Sequence, residues 1–358
     1  MSMIDTLAVP FAKTFFGQTG RLRIYEQLEA LLRGGVKLDK AMEALWDRAS
    51  KGGKDSTNVD AIVLEQWRQE YRKDAQFAKA ISAWVPVKDQ MLIEAGEMSG
   101  EVADALREVQ EVNESISEVK GMLIGALTYP VILLAAIVAM IYIFGVQVIP
   151  EFADILPVEE WTGIAATLAK LSTFVQTALW PTLAGFIALC VLIGLSMPRW
   201  RGHLRSKFDK LPPWNLYRVF QGVSFLLSLS ALLRAGVHLP VAMRRLSENA
   251  NPYMKERIDA ALYHINTGAS LGDALSRTGH DWPDSDLVAD LRIFSQISGV
   301  EAALSRLGKR WVTVAKQKVS KASKTIRMLM MVLFAFVIIW LYYGMFDLYS
   351  MIQEAASV

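Results

Sequence analysis

Residues 28–45 read LEALLRGGVKLDKAMEAL and residues 229–246 read LSALLRAGVHLPVAMRRL; at a constant offset of 201 the two agree at 11 of 18 positions. The chain is an internal duplication. Agreement includes Arg33 with Arg234 and the pairs Gly35-Val36 and Gly236-Val237, so the same turn recurs, and not merely the same hydrophobicity. Leu22, Tyr25, Leu28, Leu31 and Leu32 fall at helical spacing, Gly34-Gly35 ends that helix, and Leu38, Met42 and Leu45 resume it. The second copy repeats this αα-hairpin around Ala235-Gly236. Gly35 and Gly236 are expected in left-handed backbone positions, which any other residue would occupy at a steric cost.

The duplication continues beyond the hairpin. Residues 75–81 resemble 268–275, Pro86 matches Pro283, and EMSGEVADAL (97–106) matches QISGVEAAL (296–304) with one residue deleted. Each copy holds several helices and ends by feeding an apolar stretch. Residues 51–58, KGGKDSTN, read as a linker.

Residues 121–150, 171–198 and 328–346 contain no Asp, Glu, Lys or Arg. Each run holds a spanning helix of about 20 residues, and three spans are expected. With 53% hydrophobic and 21% charged residues, the chain mixes membrane spans with charged helical domains. Its one cysteine, Cys190, lies in the second run and excludes an intramolecular disulfide framework. The segment MSMIDTLAVPFAKTFF lacks the basic and apolar parts of a cleaved signal, so insertion is expected at the first internal span.

Basic residues set the orientation. Lys170 is the sole Lys or Arg in 121–198, whereas Arg199, Arg201, Arg205, Lys207 and Lys210 follow the second run. Bases also crowd 309–327, and none follows the third run. Positive flanks stay inside. The expected architecture is all-α, with two homologous cytoplasmic helical-bundle domains (1–120 and 199–327) interleaved with three transmembrane helices (121–150, 171–198, 328–346). A loop at 151–170 and a tail at 347–358 lie outside. The charge-free stretch 219–233 is too short for a span, and its repeat partner carries Arg23, Glu26 and Glu29, so it reads as a buried helix of the second domain. Trp180, Trp200, Tyr342 and Tyr343 near span ends suit interfacial anchoring, and Trp340 suits either that or helix packing.

Catalytic signatures are missing. The residue five before Gly53 in GGKDST is Arg48 where a phosphate-binding loop needs glycine, and Asp55 follows Lys54 where Ser or Thr would hold magnesium. His203, His238, His264 and His280 lack metalloprotease spacing, and no nucleophile elbow occurs. No enzymatic activity, cofactor or metal is expected.

Charge patterning marks the candidate interaction residues. Acids fall at Glu94, Glu97, Glu101, Asp104, Glu108, Glu111, Glu114 and Glu118, with Arg107 the sole base among them. Like charges at that spacing repel by a few tenths of a kcal/mol per pair, about 0.2–0.5, so the stripe calls for a partner. In the second copy Arg306, Lys309 and Lys316 stand where Glu108, Glu111 and Glu118 stand in the first. Three arrangements accommodate this inversion: solvated faces, two stripes facing each other within or between protomers, or an acidic stripe docked on a basic partner. KQKVSKASK (316–324) lies directly before a span and lacks interleaved aromatics, so membrane lipids, not nucleic acid, are its expected counter-charge. Pro130, inside the first span, reads as a packing kink or a pivot.

The two LLRxGVxL hairpins, GEMSG at 96–100, ALTYPVILL at 126–134 and VIPEF at 148–152 together resemble the type II secretion F-protein and type IV pilus PilC family of inner-membrane platform proteins. The resemblance covers nearly the whole chain. It departs in QISG at 296–299, where Gln296 replaces the acid, and in compact domains that look more like those of type IVb pili. The resemblance implies a platform in the bacterial inner membrane, likened to a part moved by a cytoplasmic hexameric ATPase so that pilins enter the fibre. Its implied partners are that ATPase, pilins, other inner-membrane assembly proteins and further copies of itself. The alternative class, a transporter or channel subunit, would need polar groups in the spans, which offer Gln147, Gln176 and hydroxyl residues.

Overall fold

A computed structural model describes the backbone of residues 3–55 and 57–356, and the side chains of all of these except 3–8, 203, 295–303, 305, 306, 309 and 356. Among the described residues there is no strand. The helices are α1 (Met3–Phe15), α2 (Gln18–Arg33), α3 (Leu38–Ser50), α4 (Val59–Asp74), α5 (Phe77–Ile81), α6 (Val87–Ser99), α7 (Val102–Ile143) and α8 (Ile149–Ala153). There follow α9 (Gly163–Arg199), α10 (His203–Phe208), α11 (Trp214–Arg234), α12 (Leu239–Glu248), α13 (Pro252–Asn266), α14 (Leu271–Arg277) and α15 (Ser285–Ala356).

The duplicated hairpins close with the same hydrogen bonds. Gly35 N–H donates to Leu32 O and Val36 N–H to Leu31 O, each at 3.0 Å; Gly236 and Val237 do the same to Leu233 and Leu232, again at 3.0 Å. Gly35 has φ +82° and Gly236 φ +83°, the left-handed region that a helix-ending turn of this type requires. Other ends are capped by side chains. Asn58 accepts from the Asp60 and Ala61 amides, and Asn251 from the Met254 amide.

The chain divides into two compact units. The first comprises residues 1–119 and 199–315 and holds both copies of the repeat on a shared core. Tyr25, Leu28, Trp67 and Leu106 belong to that core together with Phe225, Leu229, Ala242 and Trp282. The two copies are not equivalent within it. α2 is amphipathic, with Arg23, Glu26, Ala30 and Arg33 exposed, whereas in α11 every residue from 219 to 233 except Phe220, Gln221 and Ser224 is buried.

That burial explains the charge-free run at 219–233. Among the described residues four helical stretches are long and apolar enough to cross a membrane, including Trp214–Arg234. For Trp214–Arg234, 61% of the most apolar window is buried inside the protein, against 17%, 6% and 17% for the other three. Its apolar side chains face protein, and each fully buried Leu or Phe contributes about 1.5–3 kcal/mol. The other three stretches leave Val131, Phe186, Leu192 and Phe336 exposed, as helices that face lipid do.

The second unit comprises residues 120–198 and 316–358. Ile137, Leu168, Val337, Leu341 and Leu348 form its core. α7 continues through Pro130 to Ile143 and is followed by a π-helical turn at Phe144–Val148. The Gly145 carbonyl in that turn accepts from Ser172 Oγ at 2.7 Å. Glycine is required here because a Cβ at this position would stand 2.8 Å from the Val175 side chain. Helix α9 starts at Gly163, earlier than the charge-free run at 171 suggests, because Asp347 Oδ2 accepts from the Ile164 and Ala165 amides at 3.0 and 3.1 Å. Trp340 is a packing residue: its Nε1–H donates to Thr167 Oγ1 at 3.0 Å.

Candidate interaction site

The repeated arginines show what the acidic stripe does. Arg33, at the end of α2, donates through Nε to Glu29 at 2.5 Å and through Nη2 to Asp104 at 2.6 Å. The Glu29 hydrogen bond holds the Arg33 guanidinium above its ordinary value. In the second copy the position matching Asp104 is Ala302. Arg234 crosses instead to the first copy and pairs with Glu108 on α7, while its Nη1 donates to Ser230 Oγ at 3.1 Å. Both hairpins therefore place their arginine on α7, on acids four residues apart and so on one helix face.

The remaining stripe residues have separate roles. Glu97 accepts from the Phe77 and Ala78 amides at 2.5 and 3.0 Å and so caps α5. Glu111 pairs with Arg107 on its own helix at 3.2 Å. Glu101 is exposed; its carbonyl sits over Gly96, where a Cβ would meet the Ala105 Cβ at 2.3 Å. The glycine of GEMSG thus lets α6 and α7 approach closely. Glu118 is exposed on α7 and Lys316 half-buried on α15. The side chains of Arg306 and Lys309 lie outside the described residues. The stripe's described partners thus include the hairpin arginines, Arg107 of its own helix and main-chain amides. Half-exposed ion pairs contribute about 0–1 kcal/mol, so they set register more than stability.

Two buried polar networks went unseen in the sequence. In the first copy Arg21 Nε lies 3.0 Å from Asp89 Oδ2, and Asn113 Nδ2 donates to Asp89 Oδ1 at 3.2 Å. Lys88 Nζ donates to Asn113 Oδ1 at 3.2 Å, and burial pulls the Lys88 ammonium below its ordinary value. In the second copy Asp209 is the hub. It pairs with Arg205, with Arg257 Nη2 at 2.7 Å, and accepts from Tyr253 O–H at 3.1 Å. The two guanidiniums lie 4.6 and 3.6 Å from the Tyr253 ring centre. Burial lowers Arg205 against the pull of Asp209, and burial raises the Tyr253 phenol. The i,i+4 spacing of Arg205 and Asp209 was the one local signal; Arg257 is distant in sequence. These networks bind helices to one another and hold no open reaction centre. Among the described residues no three His, Cys, Asp or Glu side chains converge to hold a metal.

Comparison with known proteins bears on this arrangement. The model of a family described as "Type II secretion system (T2SS), protein F" matches residues 24–150 and again 225–346, one match per copy of the repeat. The chain is 21% identical to the toxin coregulated pilus biosynthesis protein E of Vibrio cholerae, over 94% of this chain and 97% of that one. It is 25% identical to the type IV pilus assembly protein PilC of Thermus thermophilus, over 89% and 79%. Type II secretion system protein F of Xanthomonas campestris is also 25% identical, over 76% and 68%.

Proposed function

This chain belongs to the type II secretion system protein F family, whose members are non-catalytic inner-membrane platforms of pilus or secretion machines, and from that premise we propose that it is the platform of a type IV pilus of the type IVb kind. It couples a cytoplasmic hexameric ATPase to extraction of pilins from the membrane and their entry into the fibre. The observation that carries the pilus reading is the near end-to-end match, 94% of this chain against 97% of a pilus biosynthesis protein, where a secretion relative matches over 76% and 68%. Three spans are proposed, because the fourth apolar helix, α11, is buried in the shared core. The proposed boundaries are 121–150, 171–198 and 328–346, with the amino-terminal side and 199–327 cytoplasmic and the 151–170 loop and 347–358 tail periplasmic.

Mechanically, the supporting feature is continuity. α7 has a charged first half and an apolar second half in one 42-residue helix, and the 72-residue α15 runs unbroken from charged residues into the charge-free stretch 328–346. A force applied to the charged half has no loop in which to dissipate. A transporter reading draws no support, since Ser172 and Gln176 turn their polar groups to the Gly145 carbonyl and to each other. The test is deletion of the gene in the source cell, complemented by the full chain, with surface fibres counted and the ATPase co-purified. Loss of fibres, with ATPase recovered on the affinity-tagged chain, is expected. Normal fibres, or secretion lost with fibres intact, would overturn the reading. Reporter fusions at residues 155 and 356 check the topology.

A further inference from the structure

Between α6 of the first copy and the α11–α12 hairpin of the second lies an open cleft of about 460 Å³. Met91, Glu94, Ala95, Val237 and Val241 line it together with Met98, which is 85% exposed. Arg245 lines this cleft and also a second one of about 510 Å³, which runs on past Val87 and Met254. The two clefts share Arg245 and follow one another beside α12, a helix of 10 residues and so about 15 Å long.

The duplication supplies an internal control. At the offset of 201, Val241, Arg244 and Arg245 correspond to Lys40, Glu43 and Ala44. In the first copy that face carries charges that pair among themselves: Lys40 with Glu43 at 2.8 Å, and Glu43 lies 3.7 Å from Arg68. In the second copy the same face carries Val241, 50% exposed, beside two exposed arginines. Neither Arg244 nor Arg245 has an ion-pair partner among the described residues. Exposed methionine and valine beside unpaired arginine is the composition of a binding surface, since Met and Arg are enriched at the buried centres of interfaces.

We propose that this groove docks an acidic amphipathic helix of another protein. Its apolar side chains, spaced i, i+4 and i+7, enter between Met91, Met98, Val237 and Val241, and its carboxylates run along the edge that faces Arg244 and Arg245. A second copy of this chain is the poorer occupant because four acids of its own stripe are engaged: Asp104 with Arg33, Glu108 with Arg234, Glu111 with Arg107, and Glu97 as a helix cap. The inference rests on the groove and its repeat partner, and holds for any machine the chain serves.

A photo-crosslinking residue placed at Met98 or Val241 of the full chain, in the source cell, tests this, with Lys40 as the matched position in the first copy. The expected result is an adduct from Met98 and Val241 but not from Lys40, whose sequenced peptide has an acidic, helix-periodic apolar pattern. Arg244→Glu with Arg245→Glu is expected to cut adduct yield at least about tenfold at unchanged protein level, because both positions are exposed and opposite charge governs the approach. An adduct with a second copy of the chain, with lipid or with a basic peptide overturns the proposal. So does no adduct, or a yield indifferent to the charge reversal.

Discussion

Replacing Asp209 by asparagine removes one charge from a site where the structure offers little to replace it. Asp209, Arg205 and Arg257 are each 0–1% exposed, and the carboxylate holds both guanidiniums while accepting from Tyr253. Glu256, 3.5 Å from Arg257 Nη1, is the remaining carboxylate in contact. Asparagine keeps the shape, so no cavity term enters, and the loss is that of breaking a buried ion pair, about 3–5 kcal/mol. For a unit of this size each kcal/mol shifts the midpoint by about 2–4 °C, so Asp209→Asn should lower the melting temperature by roughly 6–20 °C. The assay is thermal unfolding of the full chain in detergent, followed by tryptophan fluorescence and far-ultraviolet circular dichroism. The companion variant Arg205→Met, Asp209→Leu, Arg257→Met replaces the network by apolar groups and should recover most of that loss. A shift under about 2 °C for Asp209→Asn, corresponding to less than about 1 kcal/mol, would refute the claim that these charges are desolvated and mutually dependent.

Gly272→Ala should cost about 1–3 kcal/mol, since a Cβ there would stand 2.4 Å from the backbone nitrogen of Arg292, which cannot rotate away; unfolding midpoints decide it. For Arg234→Glu, Glu108→Arg and their combination, a double-mutant cycle in melting temperature should give a favourable coupling of up to about 1 kcal/mol, with the double reversal closer to the parent than either single change. No coupling would show that the arginine does not use α7. Lys88 has a folded value below its unfolded one, so the unfolded chain binds more protons there, and its contribution to stability rises as pH climbs from the folded value towards about 10.4. Lys88→Met should therefore raise the melting temperature at neutral pH and shrink the variant's advantage as the buffer becomes alkaline; an advantage that grows with pH would contradict the sign.

The local parts of this molecule are legible in its sequence. A helix that stops at glycine is encoded by neighbouring residues, so the paired hairpins and the left-handed Gly35 and Gly236 could be read from 28–45 and 229–246. Charge-free runs long enough to span were legible for the same reason, and comparing the copies identified 219–233 as buried helix despite its apolar character. What each charge touches was not legible. Arg33 and Arg234 are matched residues in matched turns, yet one bonds within its own copy and the other crosses to Glu108. That choice follows from which helix lies opposite. The acidic stripe read as one surface, whereas packing divides it into a helix cap at Glu97, an own-helix pair at Glu111 and two arginine contacts between them. Asp209 with Arg205 and Arg257 could not be inferred, because burial is what makes an ordinary i,i+4 pair a hub, and burial depends on distant segments converging. Sequence alone determined the repeat, the helices and the apolar stretches, because those rest on interactions a few residues apart. The partner of each arginine, and what lies against each of two homologous hairpins, were decided by tertiary packing, because they depend on segments distant in sequence, 71 residues away for Arg33 and 126 for Arg234.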